Sequence, residues 1–291
     1  MRIITAETSG YSREPAHHVY LTNLDDTGIR LIGYVRPEGM MLAIFGAFGQ
    51  EIVDFRRQMV IEEVVAKPVC RLYRGKFKNR ETLLVQTGMG KERAESATRF
   101  TLEHYPVTAI ISLGFAGALA PELRIGDVVV CSALLCAPGT EQKEEKLESL
   151  APDANLLSLA SQGAGDGATR FCLGSGVTVL ELDSNRQKMR ELSETFQAHI
   201  VDMESYWIAK IAATQQIPFI AIRSISDNAQ SSVQPFDQIL ASDGRLLWRK
   251  AVLCFLSHPQ YLTNVFTLFR NTRPAKRNLA AVVGQLVARF E

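Results

Sequence analysis

The chain is 291 residues long and is poor in the residue patterns that hold metals. Its five cysteines, at 70, 131, 136, 172 and 254, form no C-x-x-C pair and no cluster with histidine at zinc-finger spacing. The five histidines (17, 18, 104, 199 and 258) show neither H-x-x-x-H nor H-E-x-x-H spacing. No metal site and no cofactor is therefore expected, and the cysteines read as buried or free thiols of a reducing compartment. Long apolar runs are also missing. The longest, Thr108 to Ala120, is too short and too glycine-rich to span a bilayer, and no basic-then-apolar secretory segment opens the chain. The expected location is cytoplasmic, with contact to a membrane surface left open. A net charge of +1 gives no electrostatic case for nucleic acid. No internal repeat or low-complexity linker is visible.

What remains is ordinary globular composition, 46% apolar and 22% charged, which suits one large α/β domain. The charge is unevenly placed: residues 241–291 sum to +6 and residues 1–240 to −5. Three segments are expected: an N-terminal extension over 1–40, a main domain over 41–257 and a basic amphipathic helical extension over 258–291. In the first, HVYLTNL and IRLIGYV flank Asp25-Asp26-Thr27-Gly28, the pattern of a β-hairpin. In the last, apolar residues recur at 279, 282, 283, 286, 287 and 290, behind Arg270, Arg273, Lys276 and Arg277. Such a stripe either lies on an anionic membrane or packs against the body of the protein.

From Met40 short apolar runs alternate with helical stretches. Strands are expected over 41–48, 69–73, 82–87, 109–113, 127–135, 171–178 and 219–225. Helices are expected over 50–60, 91–104, 152–162, 184–195, 205–215 and 244–256. This alternation predicts a central sheet covered by helices on both faces, a three-layer α/β/α fold with a mixed sheet. Ligands in such folds bind at the carboxyl ends of strands, where glycine turns let the backbone approach. Three strands end that way: Phe45-Gly46-Ala47, Gln86-Thr87-Gly88-Met89-Gly90 and Ser112-Leu113-Gly114-Phe115-Ala116-Gly117.

Two further segments concentrate polar chemistry. Val201-Asp202-Met203-Glu204-Ser205 sets carboxylates directly before a helix, near the positive end of its dipole. An N-terminal helix cap has the same appearance. The strand Ala221-Ile222-Arg223-Ser224-Ile225 ends in Ser226-Asp227 at its carboxyl edge, where a turn or cap is again the plainer alternative.

Taken together and in order, IFGAFGQEI (44–52), QTGMGKERAESAT (86–98), IISLGFAGALAPELRIGDVVV (110–130), VDMESYWIAKIA (201–212) and IPFIAIRSISDNA (217–229) resemble the nucleoside phosphorylases and nucleosidases. The resemblance is strongest to the nucleosidases that cleave methylthioadenosine and adenosylhomocysteine. It implies a purine nucleosidase that releases adenine from an adenosine-type nucleoside. By this match Asp227 is the general acid at purine N7, oriented by Ser226. Glu204 holds the ribose hydroxyls, with Met203 packed on the sugar, and Glu51 positions and activates water. Gly88, Gly114, Phe115, Val179 and Leu180 fall at substrate-binding positions. The resemblance also implies a homo-oligomer, a dimer.

The alternative nucleophile is phosphate, which needs arginines and free glycine amides. The phosphorylases' Gly-Asp-Pro-x-Arg loop is absent, and Glu51 follows the first glycine turn where a carboxylate would repel phosphate. Hydrolysis is the favoured reading, with phosphorolysis through Gly88, Gly90 and Lys91 and a non-catalytic nucleoside-binding role as alternatives. Phe115, Tyr206 and Trp207 stand where small residues are usual in the family, and Val179-Leu180 replace an aromatic at the purine. The tail from Ser242 to Leu279 resembles those of hopanoid-associated phosphorylase-like proteins, which implies an adenosylhopane-like substrate, an apolar cleft and peripheral membrane contact.

Overall fold

The computed structural model describes residues 24–25, 28–29, 39–137, 148–162, 169–182, 185–228 and 260–290. The chain divides into two units, 1–40 and 41–291. In the first, strands β1 (Leu24–Asp25) and β2 (Gly28–Ile29) pair antiparallel. The helix expected over 244–256 lies outside the described residues.

The second unit is built on a ten-stranded mixed sheet. Its centre is β3 (Met41–Gly46), flanked by the parallel strands β6 (Arg80–Gln86) and β7 (Val107–Ala118). Beyond β7 the parallel run continues into β12 (Phe219–Asn228). β3 is an unbroken apolar run because both its faces are covered. Met41, Ala43 and Phe45 join one hydrophobic cluster, and Leu42 and Ile44 join the cluster on the opposite face.

Beyond β6 the sheet ends in β5 (Arg71–Phe77) and β4 (Val60–Ala66), both antiparallel to their neighbours. β4 was not expected: its sequence VIEEVVA lies at the sheet edge and is largely exposed, so it lacks the apolar alternation that marks a half-buried strand. On the other side β8 (Val128–Cys136) runs antiparallel to β12 and pairs with the short β9 (Ser149–Leu150). Next to β8 come β10 (Phe171–Thr178) and β11 (Ile200–Asp202). β11 then pairs antiparallel with the far end of β7, so β7, β12, β8, β10 and β11 close into a ring. That closure carries Asp202 back to the end of β7.

Helices α2 (Lys91–His104) and α5 (Ser205–Thr214) cover the face that includes Ala43 and Phe45. The other face is covered by α1 (Gly49–Gln58), α3 (Ala154–Gln162) and the 30-residue α6 (Gln260–Arg289). Helix α4 (Arg186–Phe196) packs Met189, Leu192 and Phe196 on a third cluster around Val177 and Val179. The architecture is the three-layer α/β/α fold with a central mixed sheet.

The apolar stripe of the C-terminal segment is not available to a bilayer. Leu279, Val282, Val283, Leu286 and Val287 are buried in the same cluster as Ile52, Phe55, Ile220 and Ile222. Each such side chain contributes about 1.5–3 kcal/mol through burial. Polar contacts fix the helix in place: Asn278 Nδ2 donates to the Gly126 carbonyl (2.8 Å) and Arg80 Nε to the Val287 carbonyl (3.1 Å). The basic residues Arg273 and Arg277 are exposed, while Lys276 pairs with Asp54 at 3.8 Å. Among the described residues no helix is long and apolar enough to cross a membrane.

Candidate active site

Because β6, β3, β7 and β12 are mutually parallel, their carboxyl ends share one edge of the sheet. The three glycine turns and the Ser226-Asp227 pair all fall there. Glu51 enters from α1, at its third residue, and its Oε2 accepts the Phe48 N–H at 2.8 Å, which satisfies an otherwise orphaned helix-start donor. Its Oε1 accepts the Phe115 N–H from β7, also at 2.8 Å. This requires the carboxylate to lie against bare backbone. A Cβ on Gly114 would stand 2.9 Å from Glu51 Oε1 and 3.5 Å from Arg223 Cζ, and one on Gly46 would meet Ile52 Cγ2 at 2.6 Å. The glycines are therefore space for a buried acid. Burial raises the Glu51 pKa, opposed by the N–H groups of Phe48 and Phe115 and by the charge of Arg223.

Glu204 stands at the N-cap of α5 without capping it. The cap function falls to Asp202, which accepts the Ser205 N–H at 3.2 Å and the Ser205 hydroxyl. Glu204 is thus free to reach across to the second glycine turn, where Oε1 accepts the Gly90 N–H at 2.7 Å. Its pKa is pushed up to about 8, first by burial and then by the nearby Asp202 carboxylate, with the Gly90 N–H and Arg223 acting the other way. Met203 approaches the same turn: its Cε lies 3.9 Å from where a Gly90 Cβ would be.

Between the two glutamates lies a residue the sequence did not single out as functional with any force. Arg223 is 2% exposed. It donates through Nε to Asp202 (2.8 Å), through Nη1 to the carbonyls of Ser112 (2.9 Å) and Ile222 (3.1 Å), and through Nη2 to Ser112 Oγ (2.9 Å). Asp202 also accepts Thr178 Oγ1 at 2.6 Å. Arg223, Ser112 and Thr178 were legible only as polar residues interrupting apolar strands, and Asp202 only as a carboxylate before a helix. Glu51, Glu204, Arg223, Gly114 and Ser112 line a single cleft with Ile208.

Asp227 lies further along the same edge. A bulge at Ser226 shifts the register of β12 on β7, so that Asp227 stands opposite Gly117. Its Oδ2 lies 3.2 Å from where a Gly117 Cβ would be, and Oδ1 accepts the Ser226 hydroxyl at 2.7 Å. Burial raises its pKa and the Ser226 hydrogen bond opposes the rise. Gly114 and Gly117 are three residues apart on β7, roughly 10 Å along the strand. Asp227 therefore lies on the same sheet edge as the Glu51–Glu204 cleft, displaced from it along β7.

Several expected contacts are made otherwise. Phe115 offers the site its N–H, while its ring packs against the cluster beneath α1 and α6. Tyr206 and Trp207 are buried in the α2/α5 layer, with Lys91 Nζ 4.5 Å from the Trp207 ring centre. These aromatics thus give the cleft no apolar wall. The Gly88 N–H is bonded to the Ala47 carbonyl at 3.0 Å and the Gly90 N–H to Glu204, so neither donor is free for an anion. Val179 is buried behind the site, its N–H on the Asp202 carbonyl at 2.9 Å, and Leu180 is 43% exposed.

A family model described as the phosphorylase superfamily matches residues 41–247. A 5′-methylthioadenosine/S-adenosylhomocysteine nucleosidase of Tolumonas auensis is 29% identical over 212 residues, 69% of this chain and 92% of that protein. Among solved structures, the nucleosidase of the same description from Neisseria meningitidis, in complex with methylthio-immucillin-A, aligns with a TM-score of 0.69 at 21% identity. The alignment covers 86% of this chain and 99% of that one. Futalosine hydrolase of Helicobacter pylori aligns at 0.66 and 18% identity, over 84% and 97% of the two chains.

Proposed function

This chain belongs to the phosphorylase superfamily, and on that premise we propose that it is a purine nucleosidase that hydrolyses the N-glycosidic bond of an adenosine-type nucleoside and releases adenine. The observation that carries the reading is the pair Glu51 and Glu204 in one cleft where the one lining cation among the described residues, Arg223, is already matched by Asp202.

Breaking a ribosyl–purine bond builds positive charge on the sugar and negative charge on the departing base. Glu204 keeps one oxygen on Gly90 and offers the other to the ribose hydroxyls, close to the developing cation. Glu51, buried and fixed by two main-chain donors, accepts a proton from water as the water oxygen bonds to C1′. The C1′–N9 bond breaks and the electron pair leaves with the purine. Asp227, further along the same sheet edge, supplies the proton to N7, a role that its raised pKa suits. Phosphate finds little purchase here, because the turn amides of Gly88 and Gly90 are already bonded and Glu51 occupies the first turn.

The preferred substrate is a 5′-thioadenosine of the kind named for the Tolumonas auensis relative. An adenosylhopane-like substrate has less support, since Phe115, Tyr206 and Trp207 turn their rings away from the cleft.

The test is base release, followed by chromatography, from methylthioadenosine, adenosylhomocysteine, inosine and an adenosine bearing a long apolar 5′ group, each with and without phosphate. Adenine released without phosphate is the expected result. Release only with phosphate would replace hydrolysis by phosphorolysis, and no release from any substrate would leave a binding protein. Asp227→Asn should abolish turnover while sparing nucleoside binding; wild-type turnover by that variant would remove Asp227 from the mechanism.

A further inference from the structure

Three carboxylates surround one guanidinium at the bottom of the cleft, and they do not share it equally. Arg223 gives Nε to Asp202 at 2.8 Å and its remaining bonds to Ser112 and the Ile222 carbonyl. Among the described residues no hydrogen bond or ion pair joins it to Glu51 or Glu204, although a Cβ on Gly114 would touch both the Glu51 carboxylate and the guanidinium. Asp202 is itself fixed by Thr178 Oγ1, by the Ser205 N–H and by the Ser205 hydroxyl. Strand β10 and the start of α5 therefore hold the acid that holds the arginine.

We propose that Asp202 is a positioning residue that sequesters the charge of Arg223, so that Glu51 and Glu204 meet the sugar as uncompensated carboxylates. A cation forming at C1′ is stabilised by negative charge only to the extent that no nearby guanidinium already neutralises it. The arrangement keeps Arg223 as a rigid donor to Ser112 at the end of β7 while its charge is matched behind the cleft. This inference rests on the nucleosidase reading.

The charged and titratable groups facing Glu204 are Asp202 from β11, Arg223 from β12 and Glu51 from α1. Cys131 from β8 lies behind Arg223, and Lys91 of α2 sits over Trp207. Asp202→Asn retains the shape of the side chain and an acceptor for Arg223, and removes one negative charge. Two effects follow with opposite causes in view. Glu204 loses a like-charged neighbour, so the rise of kcat/KM with pH that reports its ionisation moves to lower pH. The cleft also becomes one unit more positive once its acids are ionised.

The experiment compares, at pH 9, the affinities of a cationic iminoribitol nucleoside analogue and an uncharged, uncleavable analogue with the same 5′ group. The expected result for Asp202→Asn is a loss on the order of 10- to 100-fold for the cationic analogue beyond any change for the uncharged one. Arg223→Gln, with Asp202 intact, should change the ratio in the opposite direction, and the double variant should return it towards wild type. A purely structural role for Asp202 would lower both affinities alike and leave the pH profile in place, and that outcome overturns the proposal. Should Asp202→Asn fail to fold, an unchanged or reduced ratio in Arg223→Gln overturns it equally. Failure of the wild-type enzyme to release base sinks the nucleosidase reading separately, since the affinity ratio is read without turnover.

Discussion

Replacing Glu51 by Gln separates what this residue does for the fold from what it does for the reaction. In the structure both carboxylate oxygens are acceptors, for Phe48 N–H and Phe115 N–H at 2.8 Å each. An amide keeps one oxygen and sets an NH2 group against the other donor. A buried donor left without a partner costs about 1–3 kcal/mol. The cost should sit at the low end, because the fold already disfavours the ionised acid through burial and a neutral amide removes that penalty. For a domain of this size the melting temperature should therefore fall by about 2–4 °C for each kcal/mol. The reaction should suffer more. Loss of a general base reduces kcat by about 10²–10⁴, or about 3–5 kcal/mol, with KM changed little because Glu204 still holds the sugar. Thermal melting and steady-state adenine release on the same preparation decide the matter. A folded Glu51→Gln protein with kcat within about 3-fold of wild type would refute the assignment of Glu51 as base.

Gly114→Ala places a Cβ 2.9 Å from Glu51 Oε1, so the carboxylate must shift; kcat should fall by at least about tenfold while circular dichroism stays native, and an unimpaired variant would show that the site tolerates a displaced acid. The Glu204 carboxyl titrates near 8 in the fold against an ordinary 4.5, so the folded state holds that proton more tightly than the unfolded chain. Stability should therefore decline as pH rises from 4.5 towards 8, and Glu204→Gln should flatten that slope in denaturant titrations; an identical slope in the variant would contradict the shift. Leu286→Ala, in the core beneath α6, should cost about 2–5 kcal/mol, and a loss below about 0.5 kcal/mol in urea unfolding would mean that the C-terminal helix is dispensable.

The sequence by itself settled the class of the fold and most of its pieces. Helix α2 and strand β10 begin and end where the sequence pattern places them, α2 starting directly after Gly90 and β10 directly after Arg170. β4 and β11 were missed for physical reasons. The first is an exposed edge strand whose side chains have no core to point into, and the second is only three residues long and held by its neighbours. The motifs also placed Glu51, Glu204 and Asp227 at strand ends or helix starts, where polar groups reach solvent and ligand.

Only the tertiary structure decided which partner each acid finds. Asp202 and Glu204 are two residues apart and both looked like helix caps, and nothing local distinguishes them. The closing of β11 onto β7 and β10 puts Asp202 against Thr178 and Arg223, while Glu204 turns to Gly90, 114 residues away in sequence. The C-terminal stripe was equally undecided, since an amphipathic helix buries its apolar face on whatever apolar surface it meets. Here that surface is the cluster of Ile52, Phe55 and Ile220 from other parts of the same chain. Local pattern fixes which groups are present and how they alternate; which partner each one finds depends on contacts between distant segments, and those exist only once the sheet has closed.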